Sequence, residues 1–250
     1  MKVKYIYDFI DSFAPFRDQC EWDNSGLLLG DMNCDFSKIG FSLDITGETV
    51  DNAIAEGCDL IVTHHPVIFR PVNSIGYDSL VSKLIKNNIS VISAHTNLDK
   101  SPLGVNFVLA EKCSLVNARR FPGESDASMC FIGEIKETNA SDYARLISDT
   151  LSTHVEFTCP DRIISRVAVC GGSGGEFLYE IAPFADAFVT GEVKHHEFID
   201  SNLKNLTVIK AGHFATEYPV IPYLCEKTFK ETGVLCLLLN QKNPCEYIGD

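Results

Sequence analysis

Apolar positions along the chain fall into alternating helical and strand-like runs. Tyr5, Ile6, Phe9, Ile10 and Phe13 recur at helical spacing, which predicts an amphipathic helix over residues 4–13 ended by Pro15. A strand over 39–45, a helix over 48–55 closed by Gly57, and a strand over 58–63 follow. A helix over 78–87, with Leu80, Val81, Leu84 and Ile85 as its apolar positions, leads to a strand over 89–94. Ser101 and Pro102 read as the N-cap and first-turn proline of a helix reaching Glu111.

Residues 116–165 are polar at first and then β-α-β in pattern: a strand over 130–135, a helix over 142–151 with Leu146 and Ile147 inward, and a strand over 155–159. From Arg166 the pattern starts again. A strand at 167–170 runs into a glycine-rich turn at 171–175 and a helix over 176–182, followed by strands at 186–190 and 206–211. A helix with Pro219 and Pro222 in its first turns extends to Thr232, and a strand at 234–239 finishes the second sheet. The alternation predicts an α/β fold of two similar interwoven half-domains with mixed sheets: 1–115, a linking segment 116–165, and 166–250.

The two halves look like copies. Asp59-Leu-Ile-Val-Thr63 aligns with Asp186-Ala-Phe-Val-Thr190, and the same shift, held without a gap, puts 39–43 over 166–170. Each copy then carries a histidine pair, His64-His65 and His195-His196, and a later Val-Ile-x-Ala strand. Those later strands are followed by a histidine and an acid, His95 with Asp99 and His213 with Glu217.

Strand ends of open α/β sheets are where ligands bind. Five of the seven histidines lie in the doublets or in His213-x-x-x-Glu217, His95 is a sixth, and only His154 stands apart. Imidazoles joined by carboxylates suit Zn first, then Mn, Fe or Ni, ahead of Ca or Mg. Adjacent histidines at an irregular strand end serve different ions of a close pair. Two such ions, ~3.5–4 Å apart, polarise a substrate oxygen and activate water near neutral pH. Other schemes fit worse. There is no G-x-S-x-G elbow and no Walker loop, and the 171–175 turn does not match G-x-G-x-x-G. That turn is read as a tight turn needing positive φ, in preference to a phosphate cradle. The sole tryptophan, Trp22, is expected to be buried as the anchor of a turn-rich loop.

Composition narrows the classes further. With 250 residues and 45% hydrophobic content the chain buries a large core. A formal net charge of -13 argues against DNA, RNA or an anionic membrane as the main partner. The ten cysteines are scattered with no C-x-x-C pair, the mark of buried reduced thiols in a cytoplasmic protein. The first residues lack the apolar core of a signal peptide, and no window approaches the ~20 apolar residues of a membrane span.

Five ordered motifs carry a resemblance: Trp22-Asp-Asn-Ser-Gly-Leu, Thr63-His-His-Pro, His95-Thr-Asn-Leu-Asp99, Thr190-Gly-Glu-Val-Lys-His-His196 and Gly212-His-Phe-Ala-Thr-Glu217. Together, over residues 5–240, they resemble the NIF-three-like family, whose members carry the description GTP cyclohydrolase I type 2 homologue. The resemblance implies a dinuclear metal site between the halves, held by His64, His65, Asp99, His213 and Glu217, with Glu217 bridging. It places His95 and the Lys194-His195-His196 group along or behind the cleft, with His95 and His196 as candidate proton carriers. It also implies the short form of the family, without an inserted domain, assembled as a ring-shaped homohexamer.

The leading expectation is therefore a metal-dependent hydrolase acting on a nucleotide or related small molecule, including a GTP cyclohydrolase-like ring opening. The alternative is a non-enzymatic metal-binding ring that scaffolds or regulates protein partners. A DNA-clamping ring is disfavoured by the net charge.

Overall fold

Two parallel β-α-β-α-β runs organise the chain in the computed structural model, which describes residues 1–123 and 125–246. Its strands, in chain order, are β1 (Gly26–Leu29), β2 (Lys38–Ser42), β3 (Leu60–Thr63), β4 (Ser90–Ser93), β5 (Val116–Arg120), β6 (Phe131–Asn139), β7 (Glu156–Phe157), β8 (Ile163–Cys170), β9 (Ala187–Thr190), β10 (Thr207–Lys210) and β11 (Leu235–Leu238). They form a five-stranded sheet, β1-β4-β3-β2-β11, and a six-stranded sheet, β5-β6-β8-β9-β10-β7. Both are mixed, so the protein is α/β with two mixed sheets.

The chain divides into two compact units, one of Met1–Ser101 with Val220–Lys242 and a second of Pro102–Pro219 with the residues from Asn243. These divisions do not coincide with 115/116 and 165/166. The stretch read as a link is part of the second sheet, because β6 pairs antiparallel with β8. The last strand belongs to the first sheet: β11 runs parallel to β2 and not beside β10. Gly40 of β2 allows this, since a Cβ there would collide with Leu239.

In the first unit, β2, β3 and β4 are parallel and nearly buried throughout, as expected of strands covered on both faces. The helices Gly47–Glu56 and Leu80–Lys86 pack Val50, Ala53 and Leu84 against Ile61 and Val91. Thr46 and Thr49 close a reciprocal capping box at the start of the first, and Gly57, at φ 68°, ends it as expected. The N-terminal helix runs Val3–Phe13 and buries Val3, Ile6 and Ile10. The helix expected to start at Ser101-Pro102 starts instead at Val105, in the second unit. The Ser101 hydroxyl is spent on the Phe13 carbonyl, 2.6 Å away.

In the second unit β8, β9 and β10 repeat the parallel arrangement. The helix Ala140–Leu151 buries Ala140, Tyr143, Ala144 and Ile147, whereas Leu146 lies outside that stripe and is 42% exposed, contrary to expectation. β5 was not foreseen, since all five of its residues are exposed and show no alternation.

The repeat holds in the structure with one adjustment. Ile39 pairs with Leu60 and Val167 with Ala187, so the strands β2 and β8 match through a one-residue gap that the ungapped alignment lacks. The shared aspartate explains its own recurrence. Asp59 Oδ2 accepts from the Ser37 amide and hydroxyl (both 2.8 Å), and Asp186 Oδ2 accepts from the Ser165 amide (3.0 Å) and hydroxyl (3.3 Å). In each copy the acid opening one strand fixes the start of its parallel neighbour. Among the described residues none of the ten cysteines is in a disulfide, and burial pushes the Cys58 thiol up to about 11 and that of Cys113 up to about 12. No helix among the described residues is long and apolar enough to cross a membrane.

Candidate metal-ligand clusters

The first unit gathers four of the residues singled out from the sequence. β3 delivers His64, fully buried, and His65, half-buried, at its carboxyl end. β4 delivers His95, after which the chain turns through one short helix, Thr96–Asp99. That turn sets His95 and Asp99 four residues apart on one face. The ring centroids of His64, His65 and His95 lie 4.9–5.5 Å from one another, and each ring offers a nitrogen within 4.8 Å of the others. Asp99 Oδ1 is 3.6 Å from His64 Nε2.

The orientation of each ring is fixed from behind. His64 Nδ1 donates to the Ala94 carbonyl at 2.8 Å, His65 Nδ1 to Asp44 Oδ1 at 2.7 Å, and His95 Nδ1 to Asp23 Oδ1 at 2.7 Å. A carbonyl or carboxylate accepts only, so Nδ1 carries the proton and Nε2 keeps its lone pair. Asp23 is held most firmly. It also accepts from the Thr96 amide (3.0 Å), the Thr96 hydroxyl (2.5 Å), the Ser25 hydroxyl (2.9 Å) and the Asn24 amide (2.7 Å). Burial alone raises its pKa, but the bonds from His95 and Thr96 outweigh that and hold the carboxyl well below its usual range.

This arrangement corrects the expectation for Trp22. The residue anchoring the 20–25 loop is Asp23, whose side chain is wholly buried, while Trp22 beside it is 58% exposed.

The second unit brings together two more, His213 and Glu217. β10 is followed by Gly212 and a short helix, His213–Glu217, which again places histidine and acid four residues apart on one face. His213 Nδ1 donates to Glu192 Oε1 at 2.7 Å, and His213 Nε2 lies 2.9 Å from Glu217 Oε2. With Nδ1 already donating, that second contact sets a ring nitrogen against a carboxyl oxygen, an approach that needs either a proton or a metal ion between them. The Ser173 hydroxyl, 2.7 Å from Glu192 Oε2, holds the Glu192 carboxyl below its ordinary value against the effect of burial, and the His213 ring adds to this.

The glycine-rich turn serves this geometry. Gly172 has φ 62°, and a methyl at its position would overlap Glu217 Oε1. A cleft of ≈ 430 Å³ opens beside Glu192, with Ser173, Glu176, Lys194 and Lys210 in its walls.

The second histidine pair does not behave as the first. His195 and His196 are exposed on the first turn of the helix His195–Leu203, and neither falls in a cluster of potential ligands among the described residues. β9 ends at Thr190, and a four-residue turn carries the pair away from the strand end. Asp23, Asp44 and Glu192 were missed as supports. Asp23 and Glu192 sit inside the quoted motifs, and Asp44 lies near the carboxyl end of the strand expected over 39–45, which in the structure stops at Ser42, so an acid at a strand end was the available signal.

Residues 1–244 match the model of Duf34/NIF3 (NGG1p interacting factor 3). A GTP cyclohydrolase 1 type 2 homolog of Clostridium acetobutylicum is 32% identical over 239 residues, covering 91% of this chain and 89% of its own length. A protein of the same description from Campylobacter jejuni is 32% identical over 257 residues, covering 99% of this chain and 100% of its own. Among solved structures, a hypothetical protein of Staphylococcus aureus matches with a TM-score of 0.90 at 28% identity, over 99% of each chain. Reduced HcgD from Methanocaldococcus jannaschii matches with a TM-score of 0.83 at 28% identity, over 96% of this chain and 98% of its own.

Proposed function

The chain belongs to the Duf34/NIF3 family, and we propose that it is a metal-dependent hydrolase of a nucleotide or related small molecule, using two divalent ions. His64, His65, His95 and Asp99 would hold one ion, and His213 and Glu217 the other. His95 thereby changes role from proton carrier to ligand, and exposed His196 takes no part. Zn is the first candidate, given neutral imidazoles beside carboxylates. Bound there, such ions supply Lewis-acid polarisation of a substrate oxygen and activation of water near neutral pH.

One observation carries the reading. Four histidines at strand ends each commit Nδ1 to a carbonyl or carboxylate, namely His64 to Ala94, His65 to Asp44, His95 to Asp23 and His213 to Glu192. That arrangement fixes tautomer and ring direction in metal sites and raises the basicity of the coordinating nitrogen. Any one such bond would also satisfy a structural histidine; its recurrence at four strand ends is what supports a common purpose. The nucleotide comes from the relatives' description as GTP cyclohydrolase 1 type 2 homologs, and hydrolytic opening of a purine ring suits the donor set. The homohexameric ring is carried over from the family resemblance and is checked by light scattering.

Metal content by plasma mass spectrometry, paired with GTP turnover followed by chromatography, tests the proposal. The expected result is two ions per chain in zinc-loaded protein, turnover that chelation removes, and loss of both turnover and one ion in Glu217→Gln. Loaded protein that leaves GTP and a broad nucleotide panel untouched would overturn the hydrolase reading. A content of one ion or none would overturn the dinuclear one.

A further inference from the structure

Beside the first-unit histidines stand two aromatic side chains that the ligand sets do not use. Trp22 is 58% exposed and Phe69 42% exposed, yet neither hangs on a loose segment. The backbone of the Trp22 loop is fixed on both sides: the Asp23 amide donates to the Cys20 carbonyl at 3.0 Å, and the Asp23 carboxylate takes the His95 ring. Asn24 Nδ2 donates to the Ile68 carbonyl at 2.6 Å, which ties that loop to the one carrying Phe69. Both aromatic residues are thus held through the Asp23-Asn24 pair, of which Asp23 also positions His95.

The three rings meet as a corner. Trp22 and Phe69 lie 6.0 Å apart at 64°, Trp22 and His95 6.2 Å apart at 75°, and Phe69 and His95 6.1 Å apart at 83°. Near-perpendicular contacts do not cover a ring the way a stacked neighbour does, so broad aromatic surface stays open to solvent at the corner. A flat ring entering it would stack on one wall and meet the edge of another, the two arrangements that aromatic pairs favour. Stacking of this kind tolerates any base, because every base presents a π-face. A protein partner would also be drawn to exposed apolar residues, but it gives no reason for two loops to be locked onto a candidate metal ligand.

We propose that Trp22 and Phe69 form the substrate-ring subsite of this protein, taking the purine ring of a nucleotide beside His95. The proposal rests on the metal-site reading for its choice of a nucleotide, and its test does not depend on turnover. Trp22 is the only tryptophan in the chain, so indole fluorescence, excited where tyrosine does not absorb, reports this corner alone.

The experiment titrates full-length zinc-loaded protein with guanosine 5′-monophosphate, with ribose 5-phosphate as the ringless control. Fluorescence reads the wild type, and calorimetry reads wild type, Trp22→Leu, Trp22→Phe and Phe69→Leu. Light scattering and metal content are recorded for each variant. The nucleotide is expected to quench Trp22 saturably while the sugar phosphate does not. Trp22→Leu should bind the nucleotide roughly 10- to 100-fold more weakly, in keeping with base–aromatic stacking elsewhere. Trp22→Phe should recover most of the loss, and metal content should stay at the wild-type value in all three variants. Equal affinity of wild type and Trp22→Leu, equal quenching by both probes, or no nucleotide binding at all would overturn the proposal. So would a Trp22→Leu protein that changes its assembly state, which would assign the corner to subunit contact. Wild-type metal content and turnover with an unresponsive Trp22 would refute the subsite alone. A responsive Trp22 in protein holding no metal would refute the metal reading alone.

Discussion

Asp23→Asn separates support of a ligand from support of the fold. The two oxygens of Asp23 divide their donors: Oδ1 faces the His95 ring and the Asn24 amide, and Oδ2 faces the Thr96 amide and hydroxyl and the Ser25 hydroxyl. Asparagine fills the same volume but offers one acceptor and one donor. Its oxygen settles opposite the three donors of Thr96 and Ser25, which turns its NH2 toward His95 and Asn24. The Asn24 amide cannot adapt. The His95 ring can, by moving its proton from Nδ1 to Nε2, and that removes the lone pair assigned to the metal.

Two charge-assisted bonds at roughly 1.5–3 kcal/mol each are lost, and the ring recovers part of one by switching tautomer. A net cost of about 2–4 kcal/mol follows, lowering the melting temperature by on the order of 10 °C in a chain this long. Disturbing the group that orients a ligand also weakens metal binding by about 10- to 100-fold, or ~1.4–2.7 kcal/mol. Thermal melting by circular dichroism reads the first quantity, and competition with a chromophoric chelator reads the second. Asp44→Asn, with a single ring contact to lose, serves as the comparison and should shift the second far more than the first. If Asp23→Asn lowers the melting temperature but leaves metal affinity and stoichiometry at wild-type values, His95 is not a ligand through Nε2 and the tautomer reasoning is wrong.

Further outcomes follow from individual contacts. Gly172→Ala puts a methyl against Glu217 at a positive φ, so it should cost stability and displace the carboxylate; a titration showing undiminished metal affinity would contradict the role given to the turn. In the helix Ala140–Leu151, Ile147→Ala should cost about 2–5 kcal/mol and Leu146→Ala less than about 1 kcal/mol in urea denaturation, since the first is buried and the second lies outside the inward stripe. Asp186 is held below its ordinary pKa: burial raises it, and the Arg166 and Ser165 bonds, with the charge of Arg162, outweigh that. Its contribution is therefore complete above the ordinary carboxylate pKa of about 3.9 and is lost as the pH falls through the depressed value. Denaturation curves of wild type and Asp186→Asn should thus be well separated at neutral pH and converge only in acid; a separation that does not shrink on acidification would refute this.

The alternation of elements and the histidines and acids of the candidate clusters were legible because each is written locally. A buried parallel strand is a continuous apolar run, so β3 and the histidines at its end stand out from the residues alone. The His-x-x-x-acid spacing is also local, and what the structure adds is that both instances are single helical turns. The supporting acids are written at a distance set by the fold. Asp44 and His65 are 21 residues apart, and so are Glu192 and His213. That equality has a cause. In both units the acid follows one strand, β2 or β9, and the histidine follows its parallel neighbour, β3 or β10, so the separation is one strand–helix–strand crossover. Asp23 obeys different geometry, since it precedes β1, which runs antiparallel to β4 and so brings its amino end to the carboxyl end of β4, beside His95. Reading such pairs requires knowing which strands are neighbours, and the β11 pairing shows that neighbour order was the part the residues did not disclose. Once that order is known, the rule can be applied forward: an acid at the carboxyl end of a parallel strand is the first place to look for the partner of a histidine one crossover later.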